Sequence, residues 1–249
     1  MDPAVLREDM VDSLEHEAKA VLDTERVALA MRDVPREAFV DDERLAYADR
    51  ATEIDGTTVL APSTAARLLE ALDAREDDSI LVVGVGVGYT AAVLAELGDA
   101  TNVQAVDIDR NMVHTARENL DRTGYGATLV DRRDGSRGLP EYAPFDRILV
   151  EAAAVRPPRA LLEQLSGDGR LVMPMGTSGQ TLVALDSTGA VLERICPVAF
   201  RPLLLEGQQP GRVERNRTER EDREFAERNA QRRHGWEQEW IDWDGGRYR

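Results

Sequence analysis

The segment Gly84-Val85-Gly86-Val87-Gly88 constrains this chain more than any other. It follows directly on the apolar run Ile80–Val83 and opens into a helical stretch that starts near Tyr89. Glycines at such a junction let the backbone turn tightly and pass close to a ligand with no side chain in between. Downstream, short apolar runs alternate with helical ones. Strands are expected at residues 80–83, 103–106, 127–130, 147–150, 170–173, 181–185 and 191–197, and helices at 90–97, 110–122 and 158–165. That alternation implies an α/β fold, a doubly wound parallel sheet covered on both faces. The last runs are joined by turn-length links such as Ser187-Thr188-Gly189, so the sheet is expected to finish in an antiparallel hairpin. Ahead of it, Leu6, Met10, Leu14, Ala18, Val21 and Leu22 recur at three- and four-residue spacing and predict one helical stripe. A second short helix, over 25–31, is stopped near Val34-Pro35.

The glycine loop has companions. The run 103–106 ends in Asp107, 19 residues past Gly88, the separation that one helix and one strand require. An acid at the carboxyl end of that strand can accept hydrogen bonds from both hydroxyls of a ribose. Arg133-Asp134-Gly135 follows the next expected strand as a loop able to reach an adenine. The dinucleotide fingerprint wants its third glycine where Tyr89 stands, so a nicotinamide or flavin site is disfavoured. The G-x-G-x-G form is common in S-adenosylmethionine-dependent methyltransferases. There the loop passes close to the cofactor's amino-acid part. All these loops fall at the carboxyl ends of strands, where doubly wound sheets bind ligands.

Composition narrows the setting. Asp and Glu outnumber Lys and Arg 47 to 31, a formal net charge of -16, which opposes general affinity for nucleic acid. Lys19 is the only lysine, and an acidic surface nearly free of lysine suits a protein working in high salt. No run approaches the length of a membrane span, and the first twenty residues lack the basic-then-apolar order of a signal peptide. The single cysteine, Cys196, suits a reducing compartment, so a cytoplasmic address is expected. His16, His114 and His234 lie far apart, and no metal site is expected. After Pro210-Gly211 the chain becomes a charged extension with ten arginines and ten acids over 212–249, and Trp236, Trp240 and Trp243 sit at helical spacing near its end. The extension reads either as a helix, docking on the body or on a second subunit, or as a disordered tail.

Several stretches together resemble the protein-L-isoaspartate (D-aspartate) O-methyltransferase family. Residues 31–40 (MRDVPREAFV) look like its entry signature, followed by Tyr47-Ala48-Asp49, and residues 88–95 (GYTAAVLA) resemble its first cofactor motif. Residues 143–150, 169–176 and 198–203 match further segments in the expected order, from about residue 22 to 205. The resemblance implies a seven-stranded class I (Rossmann-like) methyltransferase sheet and S-adenosyl-L-methionine as donor. It also implies methylation of the stray carboxylate of an isoaspartyl residue in damaged proteins or peptides. The chain is expected to divide into an N-terminal helical region with the substrate-loop segment (1–60), a donor-binding domain (61–210) and the extension (211–249), which lies outside the resemblance. The donor would meet Thr57, Val59, Val83, Gly84, Gly86, Gly88, Asp107, Asp134 and Gly135. The acceptor would meet Ala61, Pro62, Phe200 and Pro202, with Thr58 and Leu60 at the catalytic positions.

Two departures stand out. Leu60 replaces the family serine whose hydroxyl helps hold the acceptor carboxylate; leucine donates no hydrogen bond, so one orienting contact is missing unless Thr57, Thr58 or Ser63 moves in. Val82 replaces the acid two residues before the first loop glycine, which normally helps the loop hold the cofactor. With the acidic composition, this reads as a haloarchaeal member whose substrate motif has diverged. A methyltransferase acting on another carboxylate or hydroxyl, and a non-catalytic member that binds cofactor or partners, remain alternatives. Cys196 reads as a core residue and His114 as a surface histidine. Glu151-Ala152-Ala153-Ala154 follows the fourth strand with small residues that suit close approach by donor and acceptor, the alternative being that Glu151 is merely solvated. Phe200 and Pro202 fit a peptide groove or ordinary packing equally well.

Overall fold

A computed structural model describes residues 2–16, 19–54 and 56–205. The chain starts with α1 (Pro3–Glu15) and α2 (Glu25–Asp33), then passes through two short 3-10 turns to a hairpin, β1 (Thr52–Ile54) and β2 (Thr57–Val59). Then follow α3 (Pro62–Leu72), β3 (Ile80–Val83), α4 (Tyr89–Leu97), β4 (Val103–Asp107), α5 (Arg110–Arg122), β5 (Leu129–Arg132) and β6 (Phe145–Val150). The described part closes with α6 (Arg159–Gln164), β7 (Leu165–Met175), β8 (Gln180–Leu185) and β9 (Val191–Val198).

Seven strands form one sheet in the order β5-β4-β3-β6-β7-β8-β9. The first five run parallel, and β8 and β9 turn back antiparallel, as the short links require. β3 lies inside the sheet, between β4 and β6, and every one of its residues is buried, which explains its unbroken apolar run. Alternation divides it: Ile80 and Val82 join the cluster under α1 to α5, whereas Leu81 and Val83 join the one on the opposite face that holds Leu161 of α6. Met10, Leu14 and Phe39 share the first of these clusters with Val82, so the opening sixty residues bury their apolar side chains in the same core as the sheet.

One feature of register positions the site. Val83 is level with Val106 on one side and with Val150 on the other. The chain therefore leaves three neighbouring strands at the same height, at Gly84, Asp107 and Glu151.

Some sequence expectations need correction. The stripe from Leu6 to Leu22 is not one helix. α1 ends at Glu15, and Val21 is buried because the chain turns back, its N–H donating to the Leu14 carbonyl at 3.2 Å. The β1–β2 hairpin and α3 were not anticipated. β5 starts two residues later than expected, because a turn at Gly124 (φ 91°) follows α5 and the edge position accepts Asp131 and Arg132. β7 runs back to Leu165, through a segment rich in turn residues. The helix and tryptophan face expected after residue 211 lie outside the described residues. Among the described residues, no helix is long and apolar enough to cross a membrane.

The β5 loop is fitted closely against the sheet. A Cβ added at Gly135 would fall well inside contact distance of Val83 Cγ1, a buried β-branched side chain with no room to swing away. Gly135→Ala is expected to destabilise the protein by about 1–3 kcal/mol, the range for overpacking. Urea unfolding measures it, and an unchanged midpoint would show that the loop gives way.

Candidate active site

Gly84, Gly86 and Gly88 all have positive φ (82°, 53° and 93°), a backbone conformation that side chains resist. The Gly84 N–H donates to the Val106 carbonyl at 2.8 Å and the Gly86 N–H to Asp107 Oδ2 at 3.0 Å. From α5, buried Asn119 donates through Nδ2 to the Val87 carbonyl at 2.9 Å. A Cβ at Gly88 would sit 3.4 Å from Ala116, so α5 packs directly on the end of the loop.

Both oxygens of Asp107 accept from backbone. Oδ2 takes the Gly86 N–H and Oδ1 the Asp109 N–H at 2.9 Å, the Ile108 N–H also acts on the carboxylate, and a carboxylate's four lone-pair sites still leave room for a ligand hydroxyl. Burial pushes this carboxyl above the usual carboxylate range, and those backbone donors pull the other way. The Asp134 side chain accepts from the Ser136 N–H at 3.0 Å and caps the turn that carries Gly135.

The β1–β2 hairpin lies over the glycine loop: a Cβ at Gly86 would come within 3.6 Å of Thr57 Cγ2. Thr58 is half-buried, and Leu60 packs partly against the core. Ala61 caps α3 and Pro62 begins it, while the Ser63 N–H donates to Asp49 Oδ1 at 2.9 Å. Phe200 and Pro202 reach the same end of the sheet. Gln180 brackets the Phe200 backbone, and the Ala153 carbonyl accepts from the Leu203 N–H at 2.8 Å. Arg201 binds the Gly56 carbonyl at the hairpin tip and pairs with Glu53 at 3.0 Å. The hairpin and the stretches after β6 and β9 thus meet the glycine loop at the carboxyl end of the strands. Phe200 also lines a separate cleft of about 290 Å³ with Thr64, Arg67 and Pro197.

Two candidates do not present their side chains to the crevice. Val59 and Val83 are buried, so they can offer a ligand only backbone. His114 is exposed beside Glu118, and Cys196 packs partly against the core. Among the described residues no group of three or more His, Cys, Asp or Glu can hold a metal ion.

Two residues gain roles that the sequence did not suggest. Arg36, 2% exposed, donates through Nε to the Ala46 carbonyl at 2.7 Å and through Nη2 to the Leu60 carbonyl, with its guanidinium 4.5 Å over the Tyr89 ring. It therefore ties the chain at Leu60 to the first turn of α4. Glu151 is not a solvated residue. Its N–H donates to the Val83 carbonyl at 2.8 Å, and its carboxylate meets the hydroxyl of buried Thr90. Burial is the main cause that pushes this carboxyl up to about 8, with the Asp107 charge adding to it and the Thr90 hydroxyl opposing it.

The crevice thus combines a side-chain-free backbone track with two carboxyls, neither in an ion pair among the described residues. That donor set fits a ligand with hydroxyls at one end and positive charge at the other. S-adenosylmethionine is such a molecule. Sheet, loop and acid together define a class I S-adenosylmethionine-dependent methyltransferase. The sequence pattern of the protein-L-isoaspartate(D-aspartate) O-methyltransferase family matches residues 6–206. Protein-L-isoaspartate O-methyltransferases of Aeropyrum pernix (43% identical, 78% of this chain and 78% of that one) and Ignicoccus hospitalis (41%, 76% and 93%) are similar along most of their length. The chain belongs to this family. A solved Plasmodium falciparum protein-L-isoaspartate O-methyltransferase, in complex with S-adenosyl-L-homocysteine, shares the fold with a TM-score of 0.70 at 21% identity, over 80% of this chain and 98% of that one.

The raised Glu151 carboxyl sets a sign for stability. Between its ordinary value of 4.5 and about 8 the folded protein binds more protons than the unfolded one, so stability falls as pH rises and the penalty persists above 8. Glu151→Gln removes that penalty. The variant is expected to gain on the order of 2 kcal/mol at pH 9, allowing for the open side of the crevice, and little at pH 5. Denaturant midpoints at the two pH values check this, and an equal shift at both would contradict it.

Proposed function

We propose that this chain methylates the side-chain carboxylate of isoaspartyl residues in damaged proteins or peptides, with S-adenosylmethionine as donor. Membership of the family carries the reading, and the tie between the glycine loop and Asp107 supports it. When bound, the donor supplies an electrophilic methyl group on a sulfonium. The acceptor carboxylate is already a nucleophile, so the protein has to align the two and keep water out; no strong base is required.

The residues divide accordingly. Gly84, Gly86 and Gly88 offer backbone along the donor's amino-acid part, Asp107 accepts from the ribose hydroxyls, and Asp134 and Gly135 border the adenine. Thr57 closes over the loop, and Val59 and Val83 contribute backbone. On the acceptor side stand Thr58, Leu60, Ala61, Pro62, Phe200 and Pro202. Arg36, through the Leu60 carbonyl, fixes where that side sits relative to the first turn of α4. In this division residues 1–60 supply the substrate loop, 61–210 hold the donor, and 211–249 serve self-association. The acidic, nearly lysine-free composition supports a haloarchaeal, high-salt working environment in the cytoplasm.

Leu60 favours a tuned acceptor site, since it offers no hydroxyl where the family has one. Methyl transfer from labelled donor to an isoaspartyl peptide in multimolar KCl tests the reading. Transfer is expected to the isoaspartyl peptide and not to its aspartyl twin. Donor binding without that transfer would point to another carboxylate or hydroxyl as acceptor. Leu60→Ser is expected to raise the rate by about tenfold, the worth of one restored hydrogen bond. An unchanged or lower rate would show that the gap at Leu60 is filled by other means.

A further inference from the structure

Glu151 stands where the donor's amino-acid end would lie. An alanine Cβ at Gly84 would be 3.7 Å from the Glu151 carbonyl carbon and 3.9 Å from its Cβ, so the two residues form adjoining walls. Strand alternation also matters. Leu149 shares a core cluster with Val82 and Val150 shares one with Val83, so Glu151 returns to the face of Val82. The carboxyl that the family resemblance expects at Val82 is therefore present one strand away and further along, on the same face.

Its neighbours leave its charge unbalanced. From α4 it meets the Thr90 hydroxyl, from the glycine loop only backbone, and from β4 the charge of Asp107. No basic side chain pairs with it among the described residues. Two carboxylates against one loop repel each other, and a cation between them relieves that repulsion. The methyl donor carries a sulfonium and an ammonium against one carboxylate, whereas its thioether product has lost the sulfonium charge.

Resting on the donor-binding reading above, we propose that Glu151 is the counter-charge for the donor's cationic end, losing its proton to solvent when the sulfonium donor binds and regaining one when only the thioether remains. The residue thereby distinguishes donor from spent product. It positions charge and does not touch the transferred methyl group. Below pH 8 the proton must leave before the cation is fully matched, so donor affinity relative to Glu151→Gln falls by up to about tenfold per pH unit on the acid side and levels off above.

Calorimetric titration in buffers of different ionisation enthalpy reads the proton count directly. The full-length protein and Glu151→Gln are titrated at pH 7 and pH 9.5 with S-adenosylmethionine and with S-adenosylhomocysteine. The donor's own amino group titrates near pH 8, so the quantity read is the difference between the two proteins. At pH 7 the wild type is expected to release about one proton more than the variant on binding the donor, clearly less on binding the thioether, and no more than the variant at pH 9.5. Equal proton counts in both proteins would overturn the proposal while leaving the donor-binding reading intact. No binding of the donor by the wild type would overturn both. Thr90→Val provides a second route if Glu151→Gln fails to fold. It removes the hydroxyl that favours the ionised form, so the pH at which release disappears should move upward; no movement would count against the proposal.

Discussion

The N–H of Gly86 donating to the carboxylate of Asp107 joins two strands' worth of chain at the point where a ligand would enter. Everything around it serves that contact. The glycine loop can reach Asp107 only because three of its residues accept positive φ, and Asp107 is level with it because β3 and β4 pair in parallel with Val83 beside Val106. α5 then presses from outside, with Asn119 holding the Val87 carbonyl and Ala116 against Gly88. Remove the register and the acid is misplaced; remove the glycines and the loop cannot bend to it.

The acceptor side is built by different means. It consists of segments distant in sequence, the β1–β2 hairpin, the stretch after β6 and the stretch after β9, cross-connected by Arg201, Ala153 and Leu203. Arg36 is the link between this assembly and the donor side. A guanidinium so deeply buried is costly to desolvate, which shifts its pKa down from the usual value, and backbone carbonyls and the Tyr89 ring face offset that cost. Its worth lies in holding Leu60 against the turn that follows the glycine loop.

Periodicity revealed the sheet because α4, α5 and the strands between them carry strong local signals: an all-buried run for β3, and an amphipathic α5 that matches its expected limits at Arg110 and Arg122. The hairpin has a sequence signal too, Asp55-Gly56 between β-branched residues. α3 begins at Pro62 with Leu68, Leu69 and Leu72 on its buried side, a pattern equally available in the sequence. The roles of Arg36 and Glu151 had no such signal. They depend on which carbonyl, ring or hydroxyl tertiary structure brings near, and Glu151 matters because strand alternation returns it to the face of Val82. The same alternation puts Val83 on the face opposite Val82.

The account rests on the glycine loop and Asp107 together holding an adenosine-bearing methyl carrier. A crystal structure of the protein grown with S-adenosylhomocysteine tests this most directly. The predicted result is a ligand whose ribose hydroxyls lie within hydrogen-bond distance of the Asp107 carboxylate and whose amino-acid part runs along Gly84 to Gly88. A ligand seated elsewhere, with Asp107 bonded only to its own loop, would contradict it.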